Sequence, residues 1–121
     1  MINQVNQVKR GALFFAKLAD VGGRVQNGMR PVLVIQNNAG NKFSQTTIVV
    51  PLTSRNKKSL PTHIRVGKEN GLSTNSTILA EQIICIDKAQ IGRFVGQLPE
   101  SIMKQVDRAL AVSIGLPSVG A

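Results

Sequence analysis

Arg30-Pro31-Val32-Leu33-Val34-Ile35-Gln36-Asn37 sets four consecutive aliphatic residues between a proline and the polar run Gln36-Asn37-Asn38. A run of that length and composition reads as a strand buried on both faces. Its neighbour is close by: Thr46-Thr47-Ile48-Val49-Val50-Pro51-Leu52 is β-branched almost throughout and follows the turn-rich stretch Asn38 to Gln45. The simplest connection is an antiparallel pair. If Asn37 pairs with Thr46, Arg30 falls opposite Thr53 and the two side chains share one face, whereas a slip of one residue would separate them. Arg30 stands just outside the apolar run, held by a rigid element yet able to reach solvent, as a residue that meets a charged ligand must.

The chain has 121 residues, enough for one domain that buries roughly 65% of its unfolded surface. No apolar run approaches a membrane span, and Met1 to Gln7 lacks the apolar core of a signal peptide, so a cytoplasmic protein is expected. Fifteen Lys and Arg against six Asp and Glu give a formal net charge of +9. RNA, DNA or an acidic protein would suit such a charge, as would a basic surface with no partner. The absence of Trp and Tyr, with only Phe14, Phe15, Phe43 and Phe94, supplies a base-stacking platform poorly, so phosphate contacts should dominate. No helix-turn-helix signal supports a DNA-binding regulator.

Cys85 lies within Ile83-Ile84-Cys85-Ile86 and reads as a buried, inert thiol, with no second cysteine to pair with. One His, one Cys and six scattered acids point to no metal cluster. His63 is the single imidazole; on a strand it reads as structural rather than as a general base.

Along the chain, residues 1–9 form a flexible lead-in, structure starts at Gly11, and residues 12–18 make a first strand. Ala19 to Met29, with Gly22, Gly23 and Gly28, is a long loop of the kind that carries function. Thr53 to Ser59 carries hydroxyls and three cations, either a solvated loop or one that tracks phosphates beside Arg30 and Thr53. Residues 61–66 are a strand and 67–75 a polar turn. Thr77 to Asp87 is a long strand whose Glu81-Gln82 pair must find partners or face a cleft, with Gln82 either satisfied structurally or reading bases. After a turn and a short strand at 93–97, Pro99 to Ile114 is a helix. Its apolar stripe is Ile102, Met103, Val106, Ala109, Leu110 and Ile114, with Gly115 and Pro117 as the stop. Many short strands closed by one long helix predict a β-rich α+β fold, a small curved sheet or barrel.

Together, Lys9-Arg10-Gly11, Gly28 to Asn37, Pro51-Leu52-Thr53, Leu60-Pro61-Thr62-His63, Leu79-Ala80-Glu81-Gln82-Ile83 and Ile86-Asp87-Lys88 resemble the MazF/PemK family of toxin endoribonucleases over roughly Lys9 to Leu116. The resemblance implies an SH3-like barrel with a long C-terminal helix, one toxin domain over 10–116 with a short tail at 117–121, and a homodimer. It also implies metal- and cofactor-independent, sequence-specific cleavage of single-stranded RNA, and an acidic antitoxin partner. The family's catalytic arginine and threonine fall on Arg30 and Thr53, where guanidinium and hydroxyl would stabilise charge on phosphorus as a 2′-hydroxyl attacks, leaving 2′,3′-cyclic phosphate and 5′-hydroxyl ends. Arg24, Ser54, Lys57 and Gln82 are the expected RNA contacts. Two positions depart from the family: Ala12 replaces a common Asp, and Arg24-Val25-Gln26 replaces Ser-Glu-Gln, so a loop carboxylate is missing at Val25. Either His63 assists, or Arg30 and Thr53 act with water as proton acceptor, or the chain is a weak or silent SH3-like module that binds RNA or antitoxin.

Overall fold

The structure is a computed structural model, and it describes residues 8–55 and 59–117. Seven strands are present among them: β1 (Ala12–Leu18), β2 (Gly28–Val34), β3 (Thr46–Thr53), β4 (His63–Val66), β5 (Ser76–Leu79), β6 (Ile84–Asp87) and β7 (Ile91–Gln97). Two helices join them, α1 (Asn38–Phe43) and α2 (Glu100–Ile114). The strands pair antiparallel in the order β4-β5-β3-β2-β1-β7, with β6 also on β3, forming an open, barrel-like sheet capped by α2. Among the described residues no helix is long and apolar enough to cross a membrane.

The register of the β2–β3 pair is the one the sequence suggests: Val34 faces Val49, Leu33 faces Val50, and Val32 faces Pro51. Residues alternate between the two faces of a strand, and both faces here are covered. Leu33 and Val50 belong to a core with Leu13, Leu52, Ile78 and the Met103 and Val106 side chains of α2. Val32, Val34 and Val49 belong to a second core with Phe14, Ala16 and Ile86. Val32, Leu33 and Val34 are all fully buried, which accounts for the unbroken apolar run.

Strand β3 is shared along its length. Thr46 to Val49 pair with β6, whereas Leu52 and Thr53 pair with Ile78 and Thr77 of β5. The two ends of the strand order meet through a close backbone approach. Gly71, at φ +95°, follows a 3-10 turn at Lys68–Asn70, and a Cβ there would lie 2.5 Å from the Val95 carbonyl oxygen of β7. Gly96 presses equally closely on Asn70. Only glycine combines that φ with that contact.

Several expectations are corrected. The fold begins at Val8, 5% exposed in the second core, rather than at Gly11; residues 1–7 of the expected lead-in lie outside the described residues. The turn-rich stretch after β2 contains α1, because the Asn37 side chain caps it by accepting the Gly40 N–H at 2.7 Å. Strand β2 runs from Gly28 and stops at Val34. The long strand over 77–87 is two strands broken at 80–83, where Glu81 and Gln82 turn away to other partners. Cys85 is exposed, since β6 turns only Ile86 fully inward. On α2, Met103, Val106 and Ala109 are buried as expected, while Ile114 is 56% exposed beyond the edge of the sheet.

Candidate active site

The β2–β3 ladder ends at Val32 and Pro51. Proline has no N–H to give a ladder, and Pro31 and Pro51 stand on both strands at this point. Two residues further on lie Arg30 and Thr53, each on the face of its strand that carries Val32 and Pro51. Arg30 therefore sits at the open end of the second core, where the 19–27 loop folds over it. Its Nε donates to the Asn27 carbonyl at 2.9 Å. That bond leaves both Nη groups of the fork for another acceptor.

Arg30 lines a cavity of about 330 Å³ together with Gly23, Arg24, Val25, Gln26, Asn27 and Arg55. Three arginines and no carboxylate line it. The Oε1 atom of Gln26 is buried there without a hydrogen-bond partner. Two further cavities adjoin. One, about 320 Å³, shares Arg30 and adds Ser54, Ser73, Thr74 and Arg93. The other, about 420 Å³, shares Arg55 and Ser54 and adds Arg65, Thr77 and the single carboxylate Glu69. The three share wall residues, and this neighbouring set, a basic groove, is lined by Arg24, Arg30, Arg55, Arg65 and Arg93. Such a surplus of guanidinium concentrates phosphate-bearing ligands.

Thr53 is 1% exposed and lines none of the three cavities, although Ser54 and Arg55 after it and its β5 partner Thr77 do. Its Oγ1 accepts the Arg55 N–H at 3.2 Å, so the hydroxyl proton remains to be donated. The same bond turns the chain so that Ser54 and Arg55 face outward.

Of the residues expected to contact RNA, Arg24 and Ser54 line the groove. Lys57 lies outside the described residues. Gln82 is engaged elsewhere: its Oε1 accepts the Gln26 N–H at 2.9 Å and its Nε2 donates to the Arg24 carbonyl at 3.4 Å. In the sequence Arg55 is one of three loop cations, and Arg65 and Arg93 carry no mark of function; alternation along β4 turns Arg65 outward, whereas β7 is irregular and gives no such signal for Arg93. Arg93 packs its guanidinium 4.7 Å from the centre of the Phe15 ring. His63 lines none of the three cavities. Its Nε2 lies 3.2 Å from Glu81 Oε2, and the ring borders a separate cavity against Gln105 and Arg108 of α2, so assistance to Arg30 is not its role. Burial of Glu81 works to raise its pKa, but its own backbone N–H, the Thr62 hydroxyl and His63 outweigh that and hold the carboxyl below its ordinary value. Among the described residues no cluster of His, Cys, Asp and Glu is arranged to hold a metal.

A family model described as the PemK-like, MazF-like toxin of type II toxin-antitoxin systems matches residues 9–114. The chain belongs to that family. The Endoribonuclease EndoA of Bacillus subtilis (strain 168) is 46% identical to this MazF-like toxin over 111 residues, covering 90% of this chain and 96% of that protein. A solved mycobacterial endoribonuclease in complex with its cognate antitoxin is 26% identical and superposes with a TM-score of 0.77 over 92% of this chain and 98% of its own. MazF from Deinococcus radiodurans, at 24% identity, shares the fold with a TM-score of 0.77 over 89% and 96% of the two chains. The open sheet with its C-terminal helix is thus the MazF-like fold.

Proposed function

We propose that this MazF-like toxin is a metal-independent endoribonuclease that cuts single-stranded RNA at short sequences, with Arg30 and Thr53 as its catalytic residues. The observation that carries this reading is the convergence of Arg24, Arg30 and Arg55 on one carboxylate-free cavity at the open end of the β2–β3 pair. A 2′-oxygen attacks the adjacent phosphorus, and the bond from phosphorus to the 5′-oxygen breaks. Negative charge rises on the phosphoryl oxygens as this happens. The Arg30 Nη groups donate to those oxygens, and the Thr53 proton adds a second donor. With Val25 in place of a carboxylate, water takes the 2′-hydroxyl proton, and water returns a proton to the 5′-oxygen. The products are a 2′,3′-cyclic phosphate and a 5′-hydroxyl. Arg24, Ser54 and Lys57 hold flanking phosphates.

The partner that silences it is an acidic antitoxin filling the arginine-lined groove, by analogy with the mycobacterial complex. The working form is a cytoplasmic homodimer. The silent binding-module alternative is not favoured, because nearly the whole chain aligns with a named endoribonuclease at 46% identity.

The test is incubation of the purified protein with a long mixed-sequence RNA in EDTA, followed by mapping of cut sites and end chemistry. Discrete cuts with cyclic-phosphate and 5′-hydroxyl ends are expected. Saturable, salt-sensitive binding without cleavage at high protein concentration would overturn the assignment in favour of a binding module.

A further inference from the structure

The turn at 80–83 breaks what would otherwise be one strand, and its two polar residues face opposite tasks. Gln82 reaches across 56 and 58 residues of sequence to the 19–27 loop, accepting the Gln26 N–H at 2.9 Å and donating to the Arg24 carbonyl at 3.4 Å. Only one orientation of the amide satisfies a backbone donor on one side and a backbone carbonyl on the other, so the pair of bonds fixes its flip. Glu81 anchors the turn from behind. Its Oε1 accepts the Thr62 hydroxyl at 2.8 Å, and its Oε2 lies 3.2 Å from His63 Nε2. The turn therefore ties the start of β4 to the loop. That loop lines the arginine cavity and supplies the Asn27 carbonyl that aims Arg30.

We propose that Gln82, braced by Glu81, is a positioning residue that latches the Arg24–Gln26 segment over Arg30, and that it serves RNA cleavage through the loop rather than by contact with a base. The proposal rests on the endoribonuclease reading for its consequence but not for its geometry. Nine residues, 19–27, join β1 to β2, and Gly22 and Gly23 among them impose little stiffness. Two side-chain bonds from Gln82 are then a large share of what holds Arg24 and Gln26 in the cavity wall. Without them the Asn27 carbonyl and the Arg30 fork lose their fixed relation, and a misplaced charge is a poorer stabiliser of the developing one.

The experiment compares wild type with Gln82→Met and Gln82→Glu. Methionine keeps the length and loses both bonds; glutamate keeps an acceptor for the Gln26 N–H. In the RNA-free protein, hydrogen exchange at the Gln26 amide should quicken roughly three- to tenfold in Gln82→Met, the range expected for loss of a hydrogen bond, and be restored in Gln82→Glu. In steady-state cleavage, kcat of Gln82→Met should fall by about the same factor with KM little changed and the same cut sites. Unchanged exchange at Gln26 in Gln82→Met overturns the latch, and so does quickened exchange with an unaltered kcat. A shifted set of cut sites with unchanged exchange would instead make Gln82 a base-reading residue. Should the wild type not cleave RNA, the proposed function falls while the exchange comparison still decides the latch. If Gln82→Met does not fold, Gln82→Asn, one methylene shorter, is read the same way.

Discussion

Replacing Arg30 by alanine removes the charge that the proposed mechanism places at the reacting phosphate. In the structure the Nε proton is occupied by the Asn27 carbonyl at 2.9 Å, so the interaction with substrate comes from the two Nη groups. A unit charge about 4 Å from a developing phosphoryl charge, at the effective dielectric near 20 of a protein surface, contributes about 4 kcal/mol. Loss of one preorganised donor in comparable sites lowers turnover by about 10²–10³. The two figures agree, and kcat of Arg30→Ala should fall by that factor. Arg24 and Arg55 still line the cavity, so KM should rise only a few-fold. Folding should barely suffer: the lost Asn27 bond is worth about 1 kcal/mol, and removing one of three like charges from a shared cavity relieves repulsion of similar size. Single-turnover cleavage in EDTA with a thermal melt of the same preparation measures both quantities. A variant whose kcat stays within about threefold of wild type, with an unchanged melt, would refute the placement of Arg30 at the reacting phosphate.

Three other outcomes are expected. Because Glu81 is held below its ordinary pKa of 4.5, its contacts stabilise the fold above that value and are lost as pH falls through the lowered one; the difference in melting temperature between wild type and Glu81→Gln should be present at pH 6 and shrink on acidification below 4.5, and a constant difference would contradict the assignment. Arg55→Ala should make the fall of RNA affinity with salt shallower by about 0.7 in logarithmic slope, measured by fluorescence anisotropy across a salt series. Gly71→Ala should destabilise by about 2–4 kcal/mol and lower the melting temperature by roughly 10 °C, because a Cβ at φ +95° would press on the Val95 carbonyl.

The β2–β3 register was legible because the loop between two apolar runs of matched length left one simple pairing, and a slip of one residue would have driven Val32 and Val34 into the core built around Leu33. The C-terminal helix was legible from its stripe and its Gly115 stop, and from them the fold class. What stayed hidden was set by side-chain partners, some within one turn of chain and others far along it. Asn37 looked like a turn residue until its side chain was seen capping α1, and Asn41 is buried because it bonds Gln36 and Thr47. Glu81 and Gln82 sat in an apolar run that read as strand, and only their partners at Thr62, His63, Arg24 and Gln26 explain the break there. Cys85 read as buried from its apolar neighbours, yet alternation on a strand covered on one side turns it outward. At the site, the register of β2 on β3 was legible and points Arg30 and Thr53 toward one end of the pair, whereas Arg65 and Arg93 join the cavities only through the curvature of the whole sheet.

The two prolines at the end of the β2–β3 pair carry a consequence for how such a protein can diverge. Pro31 withholds the donor that would carry the β2–β3 ladder on to Leu52, and Pro51 withholds one on the other side of β3, so the end of the pair stays open whatever the surrounding loops contain. The opening is thus written into covalent structure rather than maintained by side chains that could be traded away. On the proposed reading, loop residues such as Arg24 and Val25 can be exchanged to retune which RNA is accepted, while the cleft that would receive it keeps its place and its arginine.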